Sequence, residues 1–277
     1  MFKVNYIKVN NNKNINLNIV FLTDIHYSNV FDKVLENNII EKITLEKPNY
    51  IFITGDIIDQ ASILNTNIIY NLKRFLVNLS KNAKVILVLG GHDLQNTSDK
   101  YDSFSENMDK WKKLLENEKD IYLLDNDCYK GKYINIIGIT LPFDYYNKKP
   151  YENKQIVINK LKNYKIDKNK YNILLIHSPR RVFSKNIPKF DLILSGHMHD
   201  GMFPKIIKKL PTSIGIISPH KGLFPRNARG KITKNGTTLI VSGGVTKLSP
   251  ALPKLIKKFK FLYNNEIEII RIRDNNG

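Results

Sequence analysis

IVFLTDIH, residues 19–26, is an apolar, β-branched run that stops abruptly on Asp24 and His26. The same pattern returns as YIFITGDIID at residues 50–59 and VILVLGGHD at residues 85–93. Between these runs, Val30 to Leu45 and Ile68 to Leu79 space their apolar residues as helices do. Strand–helix–strand units of roughly 30 residues imply parallel strands joined by right-handed crossovers. Further strand-like runs lie at Ile134–Ile139, Ile173–Ile176, Leu192–Leu194 and Leu239–Val241. From Ile121 to Ile139 short strands replace helical spacing, and Leu262–Ile272 has the pattern of a hairpin or edge strand. The expected fold class is α/β, an α+β sandwich of two packed mixed β-sheets flanked by helices, rather than one doubly wound sheet. Residues 1–277 are expected to form one domain, with Lys205–Thr237, rich in Gly, Pro and Lys, as a loop.

Composition narrows the function. Hydrophobic residues make up 42% of the chain, enough for a full core and too much for wholesale disorder. No apolar stretch approaches the ~18–20 residues of a membrane helix. The opening MFKVNYIKVN lacks the basic-then-apolar order of a signal peptide. The chain as given is therefore expected to be cytoplasmic, and membrane-associated if an upstream anchor has been removed. The single cysteine, Cys128, excludes an internal disulfide and a thiolate zinc cluster, and is expected to be a small buried hydrophobe. A net charge of +19 invites a nucleic-acid partner or an anionic membrane. However, Lys far outnumbers Arg, and the charge is spread along a chain that is also rich in Asn and Ile, as A/T-rich coding would produce. Nucleic acid is thus the weaker expectation.

Histidine placement carries the chemistry. Of six histidines, His26, His92, His177, His197 and His199 follow apolar strand-like runs closely, as do Asp24 and Asp56. In open α/β sheets functional groups collect at the carboxyl ends of strands. Taken singly, the signals differ in weight. A helix cap would explain Asp24 about as well as a metal would, and a turn explains Asp56 or the Gly90-Gly91-His92-Asp93 block. A lone histidine such as His177 is more often structural. Gly196-His197-Met198-His199 is the strongest, because two imidazoles at i and i+2 on a Gly-initiated turn rarely serve packing, and His is the common nitrogen ligand of Zn, Mn and Fe.

In order, the blocks D-x-H, G-D-x-x-D, G-x-H-D, H and G-H-x-H, running from Asp24 to His199, resemble the calcineurin-like metallophosphoesterase superfamily. The resemblance implies a four-layer fold and a phosphoesterase with two divalent metal ions (Mn, Fe or Zn). One ion would take Asp24, His26, Asp56 and His199; the other would take Asp56, His177, His197 and an amide oxygen at position 91. Asp56 would be shared. Two cations ~3.5–4 Å apart lower the pKa of a bridging water and clamp phosphate oxygens during in-line attack. His92 would stay off the metals and assist the leaving oxygen, with Asp59 orienting its ring. The sequence departs at Gly91, where the family carries Asn, so the second metal site is expected to be weakened. Since Asn and Gly both tolerate positive φ, the turn itself is expected to accept either residue. His199-Asp200-Gly201-Met202 also stands where many relatives have His-Gly-Gly-Gln.

Three functions follow as expectations. The first is a metal-dependent hydrolase of phosphomonoesters or phosphodiesters; the second, a metal-binding member weakened by Gly91; the third, a nuclease. Arg180, Arg226 and Arg229 are candidate phosphate clamps alongside Arg181, and Tyr145 and Tyr146 candidates for a leaving-group pocket. Ala251–Phe261, with lysines between apolar residues, is expected to be a helix packed on the domain, with peripheral contact to an anionic membrane as the alternative.

Overall fold

The computed structural model describes residues 2–29, 31–60, 62–95, 102–147, 150–202, 213–215, 225–246 and 265–275. The segment Ala251–Phe261 lies outside these residues. Twelve strands are present among them: β1 (Phe2–Asn11), β2 (Leu17–Leu22), β3 (Tyr50–Thr54), β4 (Lys84–Val88), β5 (Ile121–Leu123), β6 (Asp127–Lys130), β7 (Ile134–Ile139), β8 (Tyr171–Ile176), β9 (Leu192–Ser195), β10 (Gly230–Lys234), β11 (Thr237–Val241) and β12 (Asn265–Asp274). The helices are α1 (Lys33–Glu46), α2 (Thr66–Ser80), α3 (Gly91–Leu94), α4 (Asp102–Leu115), α5 (Phe143–Asn147) and α6 (Pro150–Leu161). Asp32 and Asn65 cap α1 and α2, each accepting from backbone N–H groups of the first turn.

The strands form two six-stranded mixed sheets, in the orders β1-β12-β2-β3-β4-β5 and β10-β11-β9-β8-β7-β6. Strand alternation produces the layering. Phe21, Phe52, Ile86 and Val88 of the first sheet meet Ile136, Ile173, Leu194 and Ile240 of the second in an inter-sheet core. Their neighbours Leu22, Ile51, Ile53 and Leu87 face the opposite way, onto Ile39 of α1, Phe75 of α2 and Trp111 of α4. On the far side, Ile137, Leu174 and Ile193 pack on Val157 and Leu161 of α6. Strands covered on both faces must be apolar throughout, which is why the central runs lack visible alternation.

Two expectations need correction. Leu262–Ile272 begins outside the described residues, and from Asn265 onward it is neither a hairpin nor an edge. The strand in it, β12, lies between β1 and β2, parallel to the former and antiparallel to the latter. The N-terminal stretch covers its edge, because Phe2 and Val4 face the helical side while Ile7 and Val9 face the inter-sheet core. Lys205–Thr237 is not wholly loop either. It contains β10, which pairs with β11 in an antiparallel hairpin. Asn235 (φ 52°) and Gly236 (φ 76°) supply the two left-handed residues of its turn.

Gly138 of β7 marks how closely the layers approach. A Cβ there would collide with Leu124 and sit 2.8 Å from Val88 Cγ1. Gly138→Val is expected to lower stability by about 1–3 kcal/mol, the usual cost of overpacking. A denaturant midpoint equal to that of the unmodified chain would refute this.

Candidate metal centre

The carboxyl ends of five parallel strands converge, three from the first sheet and two from the second. Asp24 and His26 follow β2, Asp56 and Asp59 follow β3, and His92 lies in α3 after β4. His177 follows β8, while His197 and His199 follow β9. The exits of β2 and β3 run together through Asp24 N–H to the Gly55 carbonyl and His26 N–H to the Asp56 carbonyl, both 3.0 Å. Gly196 lets the two sheets meet, since a Cβ at this position would overlap Thr23 Oγ1 and Asp24 Oδ2. The His197 N–H then donates to Asp24 Oδ2 at 3.0 Å. Asp93 is a fastener that the sequence pattern does not reveal: its carboxylate accepts from the N–H groups of Ile57, Ile58 and Gly90.

Potential ligand atoms fall into compact groups. Asp24, His26 and His199 form one and Asp56, His177 and His197 another, with the ligand atoms of each within 4.8 Å of one another. A third group joins His26, Asp59 and His92. Asp24, His26, Asp56, His197 and His199 all have φ between 43° and 67°. Non-glycine residues rarely adopt this left-handed conformation, and it recurs where function holds the backbone in place. The His177 Nδ1–H donates to the Thr54 carbonyl at 2.6 Å, which turns Nε2 toward Asp56 Oδ2 at 3.1 Å. Asp59 Oδ1 stands 3.6 Å from His26 Nδ1 and 3.5 Å from His92 Nδ1.

Electrostatics separate the two groups. Burial opposes charge on His177, but Asp56, in contact, and Asp24 prevail and push it up to about 9. Burial likewise opposes charge on His92, yet Asp56 and Asp59 raise it to about 9. In His199 burial outweighs Asp56, and the imidazole falls to about 4. Burial also lowers His26 in spite of Asp59. Burial raises Asp24, whereas in Asp56 the neighbouring imidazoles overcome burial and hold the carboxyl well down.

These residues fit divalent cations. His26 Nδ1 and Nε2 and His199 Nδ1 are buried without a hydrogen-bond partner among the described residues, and His177 Nε2 meets only the Asp56 carboxylate. Buried polar atoms left in that state are costly, and a cation coordinated by one nitrogen of each ring lowers the deficit. The donor set, imidazole with carboxylate, suits Zn, Mn and Fe.

Other predicted residues are placed differently. Arg180 lies just past His177, and its buried Nη1 has no partner among the described residues. Arg226 is exposed. Arg229 donates from Nε to the Ile214 carbonyl at 3.3 Å. Tyr145 belongs to the core, its hydroxyl donating to Ser178 Oγ at 2.7 Å. Gly91 departs from expectation: its φ is not positive, so conformation does not demand glycine there. Space there is tight, because a Cβ would lie 3.3–3.4 Å from Cγ, Cδ1 and Cδ2 of Tyr146. Cys128, expected to be buried, is only half-buried.

Fold and site together define a metal-binding α/β sandwich with paired Asp/His clusters at one edge. The family model of calcineurin-like phosphoesterases matches residues 17–201, and the chain belongs to that family. It is similar to an uncharacterized metallophosphoesterase of Helicobacter pylori strain J99, with 29% identity over 74% of this chain and 51% of that protein. A Campylobacter jejuni protein of the same description is 28% identical over 68% of this chain and 46% of its own. The chain thus spans about half the length of these curated relatives. Among solved structures, TT1561 of Thermus thermophilus aligns with 83% of this chain and 90% of its own at 10% identity and a TM-score of 0.47. No helix among the described residues is long and apolar enough to cross a membrane.

Proposed function

We propose that the chain hydrolyses phosphate monoesters or diesters with two divalent cations (Mn, Fe or Zn). Asp24, His26 and His199 hold one ion, His177 and His197 hold the other, and Asp56 is shared. The supporting observation is the pair of Asp/His groups, each with its ligand atoms within 4.8 Å of one another, and the unpartnered ring nitrogens of His26 and His199 in the first. Bound cations supply Lewis acidity that activates water and neutralises phosphate oxygens. The chain's residues do the rest. His92, with its side chain 28% exposed, stands at the edge of the centre with Nδ1 toward Asp59. Its protonated Nε2 gives a proton to the leaving oxygen as the phosphorus–oxygen bond breaks and water's oxygen bonds to phosphorus. Arg180, close behind His177, offers a guanidinium to a phosphate oxygen.

The deciding experiment is hydrolysis of p-nitrophenyl phosphate and bis(p-nitrophenyl) phosphate by chelator-stripped protein, with each metal added back. Metal-dependent release of nitrophenolate is expected, and no turnover with any of the three ions would overturn the assignment. With no amide side chain at position 91, the second ion is expected to leave first on chelation.

Metal uptake should also be proton-linked. His177 starts protonated at neutral pH in the metal-free chain, with its pKa at about 9, and must surrender that proton to ligate through Nε2. Affinity at this site therefore rises with pH toward about 9 and falls below it. Calorimetric titration in buffers of different ionisation enthalpy should detect the released proton. Enthalpies independent of buffer would contradict the assignment of His177.

A further inference from the structure

The space beside Gly91 is occupied by an aromatic ring. Tyr146, on α5, lies over Gly91, where any side chain would meet its Cγ, Cδ1 and Cδ2 at 3.3–3.4 Å. The same ring stands edge-on to His197, with centroids 5.7 Å apart and planes at 65°. The His177 ring is 6.3 Å away. One phenol ring therefore lines the space a side chain at position 91 would fill and stands edge-on to His197, with His177 farther off.

Its hydroxyl is buried and has no hydrogen-bond partner among the described residues. Tyr145, the adjacent residue on α5, shows the contrast, since its hydroxyl is satisfied by Ser178. Tyrosine hydroxyls normally find a partner when buried. The exception here is on the ring that covers Gly91 and stands against His197 of the second group.

We propose that Tyr146 takes the place of a side chain at position 91, its hydroxyl being the oxygen offered to the cation held by Asp56, His177 and His197. This rests on the two-cation reading above. It explains why glycine occupies position 91 at a φ that any residue tolerates. The ring that brings the replacement oxygen crowds the place an asparagine Cβ would take. Gly91→Asn alone should then gain little, because its Cβ would press on the ring at 3.3–3.4 Å and the amide would compete with the hydroxyl for one position.

The test is titration of chelator-stripped protein with Zn²⁺, counting bound ions per chain by elemental analysis and calorimetry. The unmodified chain is expected to bind two ions. Tyr146→Phe keeps the ring and should retain the first ion. It should weaken the second by at least the ~10–100-fold that losing a supporting metal contact costs. The double variant Gly91→Asn/Tyr146→Ala, which opens the space and restores an amide, should recover second-ion affinity. Iron(III) loading supplies an optical readout: a visible phenolate-to-iron absorption band in the unmodified chain, absent from Tyr146→Phe. Circular dichroism confirms that each variant is folded. Equal or tighter second-ion binding by Tyr146→Phe would overturn the proposal and show the ring to be filler or a plug. Failure of the unmodified chain to bind a second ion would instead overturn the two-cation reading, and Tyr146's role with it.

Discussion

Asp56→Asn is expected to empty the second cation site, weaken the first, and reduce phosphoester hydrolysis by on the order of 10⁴ or more, beyond the ~10²–10³ attached to one electrostatic group. The magnitude follows from position. Asp56 Oδ2 contacts His177 Nε2 at 3.1 Å, and Oδ1 accepts the His92 N–H at 3.0 Å. An amide matches the carboxylate in size but carries no charge to balance a dication, and its NH₂ end repels one. The substitution also removes the carboxylate that most raises His177, so that imidazole becomes neutral more readily. The proton release seen on metal uptake should shrink accordingly. The measurement is bound metal per chain alongside hydrolysis rate. Two tightly held ions with rates near those of the unmodified chain would remove Asp56 from the centre.

His92→Ala should behave differently, retaining both ions while losing ~10²–10⁴ in turnover, the usual contribution of a positioned acid or electrostatic group. His92 shares a carboxylate with His26 through Asp59 but belongs to neither of the two groups assigned to cations. Burial pulls its pKa down, and Asp56 and Asp59 overcome this to hold it at about 9. The imidazole is therefore an acid at neutral pH. The rate should persist while His92 carries its proton and fall as pH rises past its pKa. Asp59→Asn, which removes one of the three raising carboxylates (Asp56, Asp59 and Asp93), should move that fall to lower pH without emptying the metal sites. Metal loss in His92→Ala would show that the ring is a ligand, and an unmoved pH profile in Asp59→Asn would detach Asp59 from His92.

Much of the site was legible because the responsible signal is local. An apolar run that ends on Asp or His, as at Leu22 to Asp24 or Leu194 to His197, places that side chain at a strand's carboxyl end wherever the strand goes. The missed hairpin was also local: Asn235-Gly236 between Lys234 and Thr237 is a strong turn signal inside a stretch read as loop. The edge assignment for β12 failed for the opposite reason. Whether a strand is central depends on its partners, and Phe2 pairs with Asn265 from the other end of the chain.

The sequence by itself determined the class of layers, the strands that carry the central sheets, and which Asp and His residues stand at their ends. Each depends on periodicity or on neighbours a few residues away. Tertiary structure alone decided how those ends divide into two groups, and that Asp24, His26, Asp56, His197 and His199 take left-handed backbone. It also decided that Tyr146 covers Gly91. The backbone of these five residues is held by contacts from other strands, as when the Gly55 carbonyl receives the Asp24 N–H. The tyrosine reaches its place only because α5, after a strand of the second sheet, packs against α3, after a strand of the first. Close packing between distant segments sets such contacts, and no run of neighbouring residues encodes them.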